Sequence, residues 1–344
     1  MTDSIDLGKP GDFHVHLRDG PMKELVTPAV HEGGVSVCYV MPNLVPPITD
    51  PARAIEYGQS LTALDPRTKY LMSLYLSPEV TPEVIKQAAK LGVSGVKVYP
   101  AGVTTNSDQG VSDYEPFYPT FAEMERQNMV LNLHGECPHG PGIHVLNAEH
   151  KFLPMLETLH KQFPKLRIIL EHCTSKAAIE AVKRCGDSVA ATITAHHLFL
   201  TVDSWGGNSF NFCKPVAKLP EDREALVEAA TSGSPKFFYG SDSAPHPVEA
   251  KMKGQGAAAG VYTQSYGIAY VTQAFAKVAK LENLRKFVTE SGKKFYQISD
   301  SELSSGSVRV VKRKAAVAKD ISKGDLSVVP FMAGSELDWE VEWY

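Results

Sequence analysis

The chain has 344 residues, of which 43% are hydrophobic and 22% are charged, and its formal net charge at pH 7 is -4. These values are typical of a globular protein, and the longest apolar runs fall short of the roughly 18 residues that a membrane span requires. The net charge is mildly negative, and the sequence has no basic stripe that could neutralise the phosphates of a nucleic acid. We therefore expect a small-molecule ligand, and neither nucleic acid nor a membrane as a partner.

The five cysteines are odd in number, scattered, and lack a Cys-x-x-Cys pair. This pattern argues against a disulfide framework and against a thiolate zinc site. The first residues have neither a basic nor an apolar leader segment. We therefore expect reduced thiols and a cytoplasmic location.

Short apolar runs alternate with helix-compatible segments along most of the chain. Helices are predicted at 81–91 and 176–184, where a Ser or Thr can cap the first turn. Eight such units predict an α/β fold of the (β/α)8 TIM-barrel type. A doubly wound open sheet is the alternative, but it usually binds its ligand at one switch point. The predicted strands are 12–17, 35–41, 68–76, 95–99, 129–134, 166–172, 189–195 and 236–242.

The last stretch, from about 301 to 344, is richer in Val and charged residues. No repeat or low-complexity linker separates it from the rest. We expect one domain over 1–344, with this stretch as a C-terminal extension that packs on the barrel.

The first predicted strand contains His14 and His16, two residues apart, so both imidazoles share one face. Neutral imidazoles on one face suit Zn²⁺ or a similar divalent ion. The alternative is a pair of core histidines with backbone partners. Barrel enzymes build their sites at the carboxyl ends of the strands, where four more polar residues occur. These are Lys97, His134, His172 and Asp242.

A lysine buried among histidines that bind metal is difficult to explain as a free ammonium, because burial near cations disfavours its charge. Neutral Lys97 can react with CO₂ to give a carbamate that bridges two metals about 3.5 to 4 Å apart. The alternative is a surface lysine or an ion-pair partner.

Several motifs together resemble the monofunctional class II dihydroorotases of the amidohydrolase superfamily. The similarity covers nearly the whole chain. The segments that carry it are 12–20 (DFHVHLRDG), 41–44 (MPNL), 96–106 (VKVYPAGVTTN), 133–136 (LHGE), 170–172 (LEH) and 240–246 (GSDSAPH).

The resemblance implies that two Zn²⁺ ions bind per subunit. It implies that His14, His16 and Asp242 hold one metal, that His134 and His172 hold the other, and that N6-carboxylated Lys97 bridges them. It also implies a binuclear metal-hydroxide mechanism with Asp242 as general base and general acid, and a homodimeric assembly.

The resemblance further implies a substrate site. Arg18, Asn43 and His246 would hold a substrate carboxylate, and backbone groups near Lys214 and Ala259 would contact the ring. Thr104 and Thr105 would belong to a flap over the substrate. For Arg18 the alternative is a salt bridge with Asp19 or with another acid at the barrel rim, and for the flap it is an ordinary polar connection between strand and helix.

The implied reaction is the reversible conversion of (S)-dihydroorotate into N-carbamoyl-L-aspartate in pyrimidine biosynthesis. A hydantoinase or dihydropyrimidinase would share the metal residues, but usually has a β-sandwich built partly from residues ahead of the first barrel strand, for which the position of His14 leaves no room. A non-catalytic scaffold would have lost ligands, and a mononuclear deaminase-like enzyme would not need Lys97. His196 and His197 are not predicted as ligands, because neighbouring residues of a strand face opposite ways.

Overall fold

The structure is a computed structural model that describes residues 4–344. The strands that form the barrel are β2 to β10, and a short strand, β1, precedes them. The strands are β1 (Ser4–Gly8), β2 (Gly11–Val15), β3 (Val37–Val40), β4 (Lys69–Leu71), β5 (Ser73–Tyr75), β6 (Gly95–Val98), β7 (Val130–His134), β8 (Arg167–Glu171), β9 (Val189–Ile193), β10 (Phe237–Tyr239), β11 (Val308–Val311), β12 (Ala315–Ala316), β13 (Ile321–Lys323), β14 (Leu326–Val328), β15 (Glu336–Leu337) and β16 (Glu340–Trp343).

Helices follow most of the barrel strands. The α-helices are α1 (Gly20–Val26), α2 (Pro28–Glu32), α3 (Pro51–Leu64), α4 (Pro82–Lys90), α5 (Tyr118–Arg126), α6 (Ala148–Gln162), α7 (Lys176–Arg184), α8 (Val202–Trp205), α9 (Pro220–Thr231), α10 (Val248–Lys251), α11 (Gly267–Lys277) and α12 (Ser291–Tyr296). The predicted caps are present, since the hydroxyl of Thr81 accepts from the Val84 N–H and that of Ser175 accepts from the Ala178 N–H.

The barrel consists of two parallel sheets. The chain passes from one sheet to the other within the segment 68–76. The strands β2, β3 and β4 form one sheet, and β5 to β10 form the other in chain order. Both sheets meet at Met72, where the predicted strand 68–76 divides into β4 and β5. The ring closes where Val15 bridges Ser243 and the Asp242 N–H donates to the His14 carbonyl at 2.9 Å. The predicted (β/α)8 barrel is confirmed.

The barrel interior changes from apolar to polar along the strands. On β7, Val130, Asn132 and His134 lie at alternate positions, and so do Ile169 and Glu171 on β8. Val130 and Ile169 belong to a buried apolar cluster near the amino ends of the strands. The Asn132 side chain donates to Glu171 one step further along. The polar side chains therefore lie at the carboxyl end of the barrel interior, and apolar side chains fill the interior at the amino end.

The C-terminal stretch pairs with the N-terminal strand. Strand β11 lies between β1 and β16 in an antiparallel sheet of three strands. The Trp343 indole N–H donates to the His31 carbonyl at 2.8 Å, just ahead of the amino end of β3. The sequence reasoning did not predict β1 or this sheet of three strands. The expected number of domains stays a prediction.

Within residues 4–344, no helix is long and apolar enough to cross a membrane.

Candidate metal centre and active site

Two histidines and an aspartate converge where the barrel closes. His14 lies in β2, His16 follows it directly, and Asp242 follows β10. Asp242 Oδ1 is 3.3 Å from His14 Nε2 and 3.1 Å from His16 Nε2. One ligand atom of each residue lies within 4.8 Å of the others. Nitrogen and oxygen donors at these separations can hold one divalent cation.

The next two histidines stand beside this group. His134 ends β7, and His172 follows β8. The His172 ring centroid is 4.6 Å from that of His134 and 5.0 Å from that of His14. Burial lowers the pKa of His16 to about 4 and holds that of His172 well below its usual value. Both rings are therefore neutral at pH 7, which is the form that binds a metal.

Lys97 is buried beneath these side chains. It lies in β6 with 0% exposure, and its Nζ atom has no hydrogen-bond partner among the described residues. Burial lowers the pKa of Lys97 to about 8, although the charges of Glu171 and Asp242 oppose this shift. An unpaired buried amine costs free energy unless it is neutral or modified. The predicted alternatives of a surface lysine and of an ion-pair partner are not observed.

Three of the site residues have a left-handed backbone just beyond the barrel strands. The φ angles are 59° at Arg18, 38° at His172 and 44° at Asp242. Side chains other than glycine adopt this region at a cost of roughly 1 to 3 kcal/mol. Such strain is common at functional sites, and all three residues line the same cavity at the carboxyl end of the barrel strands.

Arg18 has no carboxylate partner among residues 4–344. Its guanidinium donates to the Pro245 carbonyl at 3.1 Å and lies 3.2 Å from His246 Nε2. Asp19 instead caps α1 and pairs with Lys23 at 3.2 Å. The alternative of an Arg18–Asp19 salt bridge is therefore wrong, and the remaining N–H groups of Arg18 are available for an anion.

Asn43 connects the metal centre to the loop that follows Lys97. Its Oδ1 atom accepts from His16 Nδ1 at 2.9 Å, and its Nδ2 atom donates to the Thr105 carbonyl at 3.1 Å. The side chain of Asn106 donates to the Asn43 carbonyl at 2.9 Å. Asn43 therefore orients His16 and holds this loop, and retains one N–H for a ligand.

A small cavity at the carboxyl end of the barrel strands connects these groups. Most of the predicted site residues line it, whereas Lys97 lies beneath it and His246 contacts Ala259 at its wall. The lining includes His14, His16, Arg18, Asn43, Tyr99, Thr104, Thr105, His134, His172, Lys214, Asp242, Ala259 and Gly260.

Comparisons with known proteins agree with this arrangement. The amidohydrolase family model matches residues 60–278. The dihydroorotase of Saccharomyces cerevisiae is 53% identical over 100% of this chain and 99% of that protein. The chain belongs to the dihydroorotase family of amidohydrolases. It is therefore a cyclic amide hydrolase of a metal-dependent family, and the alternatives of a scaffold and of a deaminase are set aside.

The similarity extends to the fold. The crystal structure of the S. cerevisiae dihydroorotase in complex with 5-fluoroorotic acid superposes with a TM-score of 0.97 and covers 99% of each chain. The L-hydantoinase of Arthrobacter aurescens, at 17% identity, has a TM-score of 0.81 over 96% of this chain and 82% of that one. The second likeness shows the shared barrel alone.

Two glutamates complete the dihydroorotase-type centre, and the sequence reasoning did not assign them. Glu171 Oε2 accepts from His14 Nδ1 at 2.8 Å, and Glu136 Oε2 accepts from His134 Nε2 at 2.8 Å. Such carboxylates fix the tautomer and the orientation of a histidine ligand. Both stand next to predicted ligands in the LEH and HGE segments, which was the available signal. Tyr99, whose ring is 5.2 Å from Lys97 Nζ, was also missed.

His196 and His197 lie in a 3-10 turn, not in a strand, and both are buried. One ligand atom of each lies within 4.8 Å of the other and of Cys213 Sγ. His197 is held by Thr194 and by the Pro215 carbonyl. These contacts give His197 a structural role, and the prediction that neither histidine is a ligand stays a prediction.

Proposed function

We propose that the protein interconverts (S)-dihydroorotate and N-carbamoyl-L-aspartate in the de novo synthesis of pyrimidines. The observation that carries this proposal is the buried Lys97 amine, which has no hydrogen-bond partner within residues 4–344 and lies close to His14, His134, His172 and Asp242. A carboxylated lysine at this position would supply the anionic oxygen atoms that the imidazoles do not.

The residues fit two divalent metal ions, which we propose are Zn²⁺. His14, His16 and Asp242 would hold one ion, and His134 and His172 would hold the other. Carboxylated Lys97 would bind both ions. Two buried atoms, Nζ of Lys97 and Nδ1 of His172, have no hydrogen-bond partner in the part of the chain that the structure describes. They support this assignment, because buried polar atoms rarely lack a partner. When bound, the two ions would lower the pKa of a water molecule and polarise the ring carbonyl under attack.

The protein's own groups orient the substrate and move the proton. We propose that Arg18 and His246, with the remaining N–H of Asn43, hold the carboxylate of the substrate. Lys214, Ala259 and the hydroxyls of Thr104 and Thr105 would contact the rest of the molecule.

Asp242 is the proposed proton carrier. Burial opposes its ionisation, but hydrogen bonds from His14 and His16, together with charge on His14, hold the pKa of Asp242 well below its usual value. As a carboxylate it can accept a proton from the attacking water. It then returns that proton to the ring nitrogen as the carbon–nitrogen bond breaks.

The deciding experiment follows the loss of dihydroorotate ring absorbance. Metal-loaded wild type is compared with Lys97→Ala, with and without short carboxylic acids. We expect activity in the wild type, its loss by about a hundredfold or more in the variant, and partial rescue by the acids, because a free carboxylate can replace the bridging group.

Two other outcomes would contradict the proposal. Full activity of Lys97→Ala would exclude the carbamate. Turnover of hydantoin or dihydrouracil without turnover of dihydroorotate would be consistent with the proposed metal site but would contradict the proposed substrate.

The expected homodimer and cytoplasmic location remain predictions. Sedimentation of the purified protein would test the first, and cell fractionation the second.

A further inference from the structure

One lysine outside the metal centre is buried with an unusual set of partners. Lys251, the last residue of α10, is 4% exposed. Its Nζ atom donates to the carbonyls of Phe212 at 2.9 Å, Ala258 at 2.8 Å and Gly260 at 2.7 Å. Within residues 4–344 it pairs with no carboxylate. Three carbonyl oxygens therefore satisfy all three N–H groups of the ammonium.

The three carbonyls come from two walls of the cavity. Phe212 stands two residues before Lys214, and Ala258 and Gly260 flank Ala259. Lys214, Ala259 and Gly260 all line the cavity. The Gly260 N–H also donates to the Phe212 carbonyl at 3.0 Å. One ammonium thus joins the two wall segments and fixes the peptide units on both sides of Ala259.

Ala259 in turn contacts two predicted substrate residues. Its carbonyl is 2.9 Å from His246 Nε2 and 3.4 Å from Thr105 Oγ1. Gly260 packs tightly here, since an added Cβ would lie 2.5 Å from the Ala244 carbonyl and 2.9 Å from His246 Cδ2. A small shift of this wall would therefore displace His246.

The segment that leads to this wall has few other supports. Residues 252–256 are exposed, and two of them are glycines. The backbone bond from the Ala258 N–H to the Ala250 carbonyl, at 3.0 Å, is the other tie to α10. Removal of the ammonium would leave the Ala258 and Gly260 carbonyls without their side-chain donor.

We propose that Lys251 is a positioning residue for substrate binding, which holds Ala259 and, through it, His246 in the geometry that receives the substrate. This inference rests on the proposed function. It assigns no contact between Lys251 and the substrate, so its effect should appear in binding more than in the chemical step.

The test compares Lys251→Met with a matched control elsewhere in the barrel. Lys236 also donates to three backbone carbonyls, those of Cys185, Gly186 and Val189, but it stands at the amino end of β10, opposite the site. Both variants replace an ammonium by an apolar side chain of similar length. For each protein, kcat and KM for dihydroorotate, metal content, thermal unfolding and calorimetric affinity for orotate are measured.

For Lys251→Met we expect KM to rise about tenfold, orotate affinity to fall by a similar factor, kcat to change less than threefold, and metal content to stay the same. For Lys236→Met we expect a loss of stability with KM unchanged. If Lys251→Met does not fold, Lys251→Gln replaces it, because the shorter amide retains two donors; its KM should rise about threefold.

An unchanged KM in the Lys251 variant, or an equal rise in the Lys236 variant, would overturn the inference while leaving the proposed function intact. An absence of dihydroorotate turnover in the metal-loaded wild type would overturn the proposed function and the inference with it.

Discussion

Buried carboxylates orient the histidine rings of this centre. Glu171 is 1% exposed and accepts from His14 Nδ1, from the Thr192 hydroxyl and from the Asn132 amide. Burial alone would raise the pKa of Glu171, but His14 and Lys97 outweigh it and hold the pKa below its usual value. The carboxylate therefore stays charged and holds His14 with Nε2 directed to the centre.

The substitution Glu171→Gln should weaken metal binding by about 10- to 100-fold, because the amide no longer accepts strongly from His14 Nδ1. Competition with a coloured chelator measures this affinity. Glu180→Gln, on the exposed face of α7, is the control and should leave the affinity unchanged. An unaltered metal affinity in Glu171→Gln would show that His14 needs no carboxylate partner.

At the scale of the residue, the sequence predicted which side chains lie together. Strand periodicity places His14 and His16 on one face, and the strand ends bring His134, His172 and Asp242 close to them. The sequence could not show that Lys97 lacks a hydrogen-bond partner among residues 4–344, because that depends on what several other strands place around it. Nor could it show that Asn43 is already bonded to His16, since Asn43 stands in a loop.

The loop after β6 lines one side of the cavity with Thr104 and Thr105. Thr105 and Asn106 interact with Asn43, so the loop is tied to the segment after β3. Asn106 has a left-handed backbone, with φ at 55°. A glycine tolerates this conformation, so its side chain can be removed without backbone strain.

Replacement of Asn106 by glycine should raise KM for dihydroorotate about fivefold, the value of one lost hydrogen bond of about 1 kcal/mol. Asn128→Gly is the matched control, because Asn128 also has a positive φ, 53°, and its side chain bonds to Gln297 away from the cavity. Steady-state kinetics of both variants decide the question. Equal KM values in Asn106→Gly and wild type would mean that the loop does not need this tie.

The bounds of helices and strands were predictable from the sequence only where a local signal sets them. The helices after Thr81 and Ser175 begin where predicted, because a capping hydroxyl is a local signal. The segment 68–76 was predicted as one strand, but its pairing changes partner sheet at Met72, which is a tertiary effect. Strand β1 was missed because five residues carry little periodicity and pair with a segment about 300 residues away.

For the whole molecule, the sheet of β1, β11 and β16 fastens the C-terminal stretch beside the amino ends of the barrel strands. The Trp343 ring stacks on His31 with centroids 3.9 Å apart, in addition to its bond to the His31 carbonyl. Gly34 packs against the same sheet, because an added Cβ would lie 2.7 Å from Val341. These contacts lie at the opposite end of the barrel from the cavity.

Trp343→Ala should therefore lower the free energy of unfolding by about 3 kcal/mol and leave kcat and KM unchanged. Denaturant unfolding and kinetics on the same preparation measure both effects. Tyr344→Ala is the control, since Tyr344 is 57% exposed. A changed KM in Trp343→Ala would indicate that the sheet communicates with the cavity.

The pairing of β1 with β11 and of β11 with β16 brings Ser4 and Tyr344 to one small sheet. A surface linker or a fluorescent reporter joined after Tyr344 would thus extend from the face opposite the cavity. Protein immobilised through that position would expose the cavity to solution. Enzyme attached in this way to an electrode or a bead should therefore still bind dissolved substrate.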